Sequence, residues 1–161
     1  NTEDEVPSVM SVDVPEAESS TVVVTATVPT TVTLGEQDAY DQAFNMLKQS
    51  RYEEAAEGFA NFLRQYRNSE LTDDAWYWMA EAHYVTREFE RALLGFNTVV
   101  SYFSGSPRIP ASRLKIGYIQ YEKADYKVAR ETLTQLLREF PAHRVAVSAE
   151  ARLRKMDREG R

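Results

Sequence analysis

From Asp38 onward the chain repeats itself with a period of 37 residues, and no other feature restricts its fold as much. Three segments align in register: "RYEEAAEGFANFLRQY" from Arg51, "EFERALLGFNTVVSYF" from Glu88 and "DYKVARETLTQLLREF" from Asp125. Counted from the leading aromatic of each, apolar residues recur at offsets 0, 3, 7, 10, 11 and 14. In the first segment these are Tyr52, Ala55, Phe59, Phe62, Leu63 and Tyr66; in the second, Phe89, Ala92, Phe96, Val99, Val100 and Phe103. The third repeats the set with Tyr126, Ala129, Leu133, Leu136, Leu137 and Phe140. Those offsets trace one face of an α-helix.

Each of these helices follows another helical stretch: "DAYDQAFNMLKQS", "TDDAWYWMAEAHYVT" and "IPASRLKIGYIQYEKA". Thr72 with Asp73 and Asp74 reads as a helix start, a hydroxyl cap followed by acids at the positive end of the dipole. Pro110 suits a first helical turn, where its missing N–H costs nothing, and Pro141 ends the third pair. A hairpin of this size cannot bury both helices alone, so the units must stack. The expected fold is all-α over residues 37–161: a solenoid of three helical hairpins at about 37–70, 71–107 and 108–142. A capping helix over about 144–158 closes it, covering the last hairpin with Val145, Val147, Ala151, Leu153 and Met156. Gly58 and Gly95 hold equivalent mid-helix positions, where glycine costs about 1 kcal/mol relative to alanine. Close packing by a neighbouring helix is the expected compensation.

Residues 1–36 lack this periodicity. They hold seven acids (Glu3, Asp4, Glu5, Asp13, Glu16, Glu18 and Glu36), three prolines and no Lys or Arg. The stretch is expected to be a disordered acidic linker, because it buries too little to offset its ordering entropy. Within it "TVVVTATVPTTVTL" favours extended backbone, and reads either as linker or as a segment that docks as a strand. The net charge of −6 is concentrated here, which leaves the rest close to neutral. The best basic cluster, "RLRKMDREGR", is diluted by Glu150, Asp157 and Glu159 and reads as a solvated helix end, so nucleic acid is not an expected partner.

Cysteine is absent, which excludes disulfides, a cysteine nucleophile, thiolate metal sites and a lipidated cysteine on this chain. No apolar run approaches the length of a membrane span, so a membrane-spanning role is not expected. No signal peptide is visible and the sequence does not open on Met, which reads as a processed protein or a fragment. The only histidines are His83, on the aromatic helix, and His143, in the turn after Pro141. Both read as packed or surface imidazoles. The acid pairs Glu53–Glu54 and Asp73–Asp74 are adjacent, about 100° apart on a helix, and suit capping and dipole roles. With no nucleophile elbow, phosphate loop or metal motif, the expectation is a non-catalytic protein with no cofactor and no metal.

Small residues at Ala80 and Gly117, aromatic Trp76, the series Ala55, Ala92 and Ala129, the pair Phe59 and Phe96, and Pro141 resemble the tetratricopeptide repeat pattern. The unit is 37 residues rather than 34, which implies longer turns. The first repeat departs most, with Ala39 at the tryptophan site and Arg67 in place of proline. The run "SELTDDAWYWMAEAHY", the stretch from Phe96 to Pro141 and the closing "AEARLRKM" are similar, over about residues 37–158, to the C-terminal domain of the Tol-Pal system tetratricopeptide proteins. These are the cell-division coordinators of Gram-negative bacteria. The resemblance implies a periplasmic location, contact with the TolA protein and with the peptidoglycan synthase complex, and a link between outer-membrane constriction and peptidoglycan synthesis. It also implies a trimeric parent, through an N-terminal coiled coil that this chain does not carry. The alternative is a generic repeat scaffold or oligomerisation module of another bacterial envelope complex; the outer-membrane assembly lipoproteins have similar helices.

In tetratricopeptide superhelices the first helix of each hairpin lines the concave surface. By that resemblance the candidate protein-binding groove comprises Tyr40 and Phe44; Tyr77, Glu81 and Tyr84; and Leu114, Tyr118 and Tyr121. Tyrosine suits recognition, with large area, few rotamers and a hydrogen-bonding tip. The alternative is that these tyrosines fill gaps between repeats. Trp76, with Met79, Ala80 and His83, is expected on the packing face, and Trp78 between repeats. The adaptors of this class that bind chaperone tails hold a carboxylate with inner-face Lys, Arg and Asn. The Tyr, Phe and Leu at those places argue against such a clamp.

Overall fold

A computed structural model describes residues 32–161. The described residues form seven helices and no strand: α1 (Leu34–Lys48), α2 (Tyr52–Gln65), α3 (Thr72–Val85), α4 (Phe89–Tyr102), α5 (Ile109–Glu122), α6 (Tyr126–Glu139) and α7 (Val145–Arg158). Consecutive helices pair as hairpins, and α7 lies against α6 and α5. Odd helices touch odd neighbours, α1 on α3 and α5 on α7, whereas even helices pack appreciably only on odd ones. The stack therefore curves with the odd helices on its inner side.

The periodic face of the even helices is the core. Ala55, Ala92 and Ala129 are fully buried, as are Phe59, Phe96 and Leu133. Phe62, Val99 and Leu136 continue the same face one turn on. Each large side chain so buried contributes about 1.5–3 kcal/mol. The core divides into three clusters, one per hairpin, and the last is completed by Val145, Ala149 and Met156 of α7. Val147 and Ala151, expected to cover the last hairpin, are instead exposed on the outer side of α7.

Small residues set how closely the helices pair. A Cβ on Gly58 would lie 2.9 Å from the Ala43 Cβ, and one on Gly95 only 2.7 Å from the Ala80 Cβ. In the third hairpin the roles exchange: the small residue is Gly117 on α5, and its Cβ would meet Leu133 Cδ2 at 2.7 Å. Close approach is thus the compensation for glycine in mid-helix.

Turn chemistry also repeats. Ser50, Arg87 and Ala124 take positive φ (61°, 61° and 65°), each just past an odd helix. The N–H of the next residue then reaches back five positions (Arg51 to Met46 O, Glu88 to His83 O, Asp125 to Gln120 O), a Schellman closure made without glycine. In the turns that follow the even helices, Ser69, Ser106 and His143 are equivalent. Ser69 Oγ, Ser106 Oγ and His143 Nδ1 each accept from the backbone N–H two residues on. These caps correct one expectation, since Thr72 is the first residue of α3 rather than its cap, and its hydroxyl donates to the Ser69 carbonyl at 2.6 Å.

The start of α1 corrects another. Leu34, Gly35 and Glu36, assigned to the linker from sequence, are helical, because Thr33 and Glu36 form a reciprocal capping box. The expected linker and docking strand otherwise fall on residues 1–31 and lie outside the described residues.

Candidate protein-binding face

Along the inner side of the stack, each odd helix places a side chain over the one before it, with partners 34 residues apart. Trp78 meets Phe44 edge-on with ring centroids 5.1 Å apart. One repeat on, Lys115 Nζ donates to Glu81 Oε2 at 2.9 Å, and the Arg152 guanidinium lies 4.1 Å from the centre of the Tyr118 ring. A parallel row runs beside it. The Tyr40 hydroxyl donates to Asp74 Oδ2 at 3.5 Å, and Arg108 grips the same carboxylate through Nε and Nη2, the latter at 3.1 Å from Oδ2.

The cations also cover aromatic faces. Arg108 sits 5.1 Å from the Tyr77 ring and 5.0 Å from Trp78; Lys115 Nζ is 4.5 Å from Tyr84, and Arg152 is 4.7 Å from Tyr121. Such contacts contribute roughly 0.5–2 kcal/mol, most where water is excluded. The hydrogen bond from Arg108 to Asp74 raises the guanidinium's pKa further above its usual value. Burial raises the Tyr40, Tyr77 and Tyr84 phenols above the ordinary range, helped by Asp74 at Tyr40 and by Glu81 at Tyr77, so all three stay protonated.

The structure divides the residues expected in the groove. Phe44, Glu81, Tyr84 and Tyr118 are half-buried at the inner surface, whereas Tyr40, Tyr77, Leu114 and Tyr121 are buried, at 7–8% exposure. Tyr40 packs edge-on against Phe59 and Phe62, and Tyr77 does so against Phe96. The hydroxyl of Tyr121 is held by Glu159 and by Arg161 from the C-terminus. These four are the roots of the strip, serving core and inner surface together. Trp76, expected as the core aromatic, is half-buried on the opposite, outer side of α3. Trp78 packs between repeats, as expected, but at the inner surface.

Sequence reasoning missed Asp74, Arg108, Lys115 and Arg152 as members of this face. A signal existed: positions 78, 115 and 152 are 37 apart, the period of the fold. The face therefore carries cations that the expected groove residues did not include, although Arg108 and Lys115 are already paired with Asp74 and Glu81. Glu81 Oε1 and Arg152 Nη1 are shielded from solvent and have no hydrogen-bond partner among the described residues, although Arg152 Nη1 lies 4.0 Å from Glu122 Oε1. His83 is a packing residue, with Nδ1 3.6 Å from Glu88 Oε2. No helix among the described residues is long and apolar enough to cross a membrane.

Comparison with known proteins agrees with this architecture. Two tetratricopeptide repeat family profiles match, one over residues 40–106 and the other over residues 111–143. Two curated sequences of the cell division coordinator CpoB from Pseudomonas putida, one of them from strain KT2440, are each 41% identical over 44 residues. Those matches span 27% of this chain and 16% of the relatives' length. With seven helices, the 37-residue period and the two profile matches in agreement, the chain belongs to the tetratricopeptide repeat family and is a protein-interaction module of that class.

Proposed function

We propose that this chain is the partner-binding module of a periplasmic cell-division coordinator of the Tol-Pal system, and that its inner face takes an extended segment of TolA or of the peptidoglycan synthase complex. The observation that carries this reading is the inner ladder, together with the similarity to CpoB. Phe44, Trp78, Tyr84 and Tyr118 present half-buried aromatic surface on three successive odd helices, and Lys115 and Arg152 lie against Tyr84 and Tyr118. Preformed aromatic anchors beside fixed charges favour a docked peptide, because little rotamer entropy remains to be lost. Nothing in this arrangement positions a nucleophile or general base, so the role is binding, and the coordination of outer-membrane constriction with wall synthesis would follow from which partners are held.

The test is calorimetric titration of the chain with the purified periplasmic part of TolA. Tyr84→Ala with Tyr118→Ala should lower affinity at least tenfold, about 1.4 kcal/mol, with helicity retained. Full affinity in this variant would remove the inner face as the site. No binding by the unmodified chain would remove TolA as the partner and leave the envelope-scaffold alternative.

A further inference from the structure

The outer side of the stack carries a second surface, unlike its counterpart one repeat later. Between α2 and α4, Trp76 forms the floor of a groove walled by Leu63, Arg67, Thr98, Tyr102 and Phe103. The groove continues past Met79 and Arg64. Tyr102 is 81% exposed, although it borders apolar surface. At the equivalent place between α4 and α6, Trp76 is replaced by Arg113 and Tyr102 by Glu139. These two form an ion pair of 2.6 Å, and Arg113 lies over Phe140. The repeat therefore closes this groove with charge in one copy and leaves it aromatic in the other.

The rim charges differ as well. Arg64 and Arg67 stand where the next repeat has Ser101 and Ser104. Among the described residues, Arg64 bonds only the Asn61 side chain and Arg67 only the Arg64 carbonyl, and neither pairs with a carboxylate. An aromatic floor with two guanidiniums on its rim fits an acidic segment bearing apolar side chains.

This chain holds such a segment, joined in sequence to α1. Residues 1–31 contain Glu3, Asp4, Glu5, Asp13, Glu16 and Glu18, no Lys or Arg, and the run "TVVVTATV". Their junction with α1 lies beside the rim: Glu36 lines one depression with Arg64, Tyr66, Arg67 and Ser69, and accepts from Ser69 Oγ at 3.3 Å. Glu18 is 14 residues before Val32, a reach of about 45–50 Å when extended. The helices that wall the groove are about 21 Å long, so any point on it is accessible. Tethering supplies an effective concentration near millimolar for a short linker, so weak contacts suffice. We infer that the acidic segment 1–31 docks in cis on the outer groove of Trp76, Tyr102, Arg64 and Arg67, leaving the inner face free.

The absence of cysteine gives a clean test. A nitroxide on Ser20→Cys in the full 15N-labelled chain should broaden away the amide signals of Arg64, Arg67, Thr98 and Tyr102 and the Trp76 indole N–H. Arg64→Glu with Arg67→Glu should restore those signals; both side chains are exposed, and unchanged melting would confirm the fold. Uniform attenuation, loss at Tyr84 and Tyr118 instead, or loss that survives the double charge reversal would each overturn the inference. So would the same loss in a mixture of nitroxide-only and 15N-only molecules, since the occupant would then be a second copy.

Discussion

Gly95→Ala sets two measurable terms against each other. On an exposed helix the change stabilises by about 1 kcal/mol, because alanine loses less backbone entropy on folding. Here the added Cβ would stand 2.7 Å from the Ala80 Cβ, 3.2 Å from the Trp76 carbonyl oxygen and 3.4 Å from the Ala80 Cα. Carbon atoms rest at about 3.5–4.0 Å, so α3 and α4 would have to part by roughly 1 Å. Ala80 has no rotamer that can yield, and the retreat loosens Phe96 and Val99, both fully buried in the same interface. Overpacking of this kind costs about 1–3 kcal/mol, and a gap of that width forfeits a quarter to a half of each contact's attraction. The expected net effect is a loss of about 1–2 kcal/mol, read by urea and thermal unfolding under circular dichroism. Ala80→Gly combined with Gly95→Ala moves the methyl across the interface, as the third hairpin does with Gly117, and should recover most of the loss. A single Gly95→Ala variant more stable than the unmodified chain would refute the reasoning, since the helices could not then be this close.

Further outcomes follow from other positions. Tyr77→Ala should cost about 3 kcal/mol, because it empties a buried site against Phe96. Trp76→Ala, half-buried on the outer side, should cost less; thermal melts that rank them the other way would return Trp76 to the core. Ala124→Gly should raise stability by about 0.5 kcal/mol, since the left-handed conformation at φ 65° strains any side chain by more than glycine's extra unfolded entropy. Burial lowers the His83 pKa from 6.5 despite the pull of Glu88, so the unfolded chain binds that proton more readily. Stability should therefore fall as pH drops below about 6.5 and level off once the folded imidazole protonates. His83→Gln should flatten that slope in urea titrations at successive pH values; an unchanged slope would assign it to other groups.

What the sequence by itself determined was the repeat. Offsets of 3, 4 and 7 mark a helix that buries one face, and the even helices pack in that way, so Phe59, Phe96 and Leu133 could be placed in the core from their spacing. The hairpin pairing followed, because neither helix of a unit can bury its apolar face alone. The odd helices were less legible for a geometric reason. Each interior one is flanked by two even helices and by odd neighbours, so nearly its whole circumference is covered and periodicity names no unique inward side. On α5, Ser112, Leu114, Ile116, Gly117, Ile119 and Tyr121 are all buried. On α3, Trp76, Tyr77 and Trp78 point to three surfaces, and only the tertiary structure decided that Tyr77 is the core residue while Trp76 faces outward. The inner ladder was hidden for a related reason: its partners, such as Lys115 with Glu81 and Arg152 with Tyr118, are 34 residues apart. That spacing matches no helical neighbour relation. It arises only when one hairpin stacks on the next and the inner curve brings successive odd helices within reach of a single side chain.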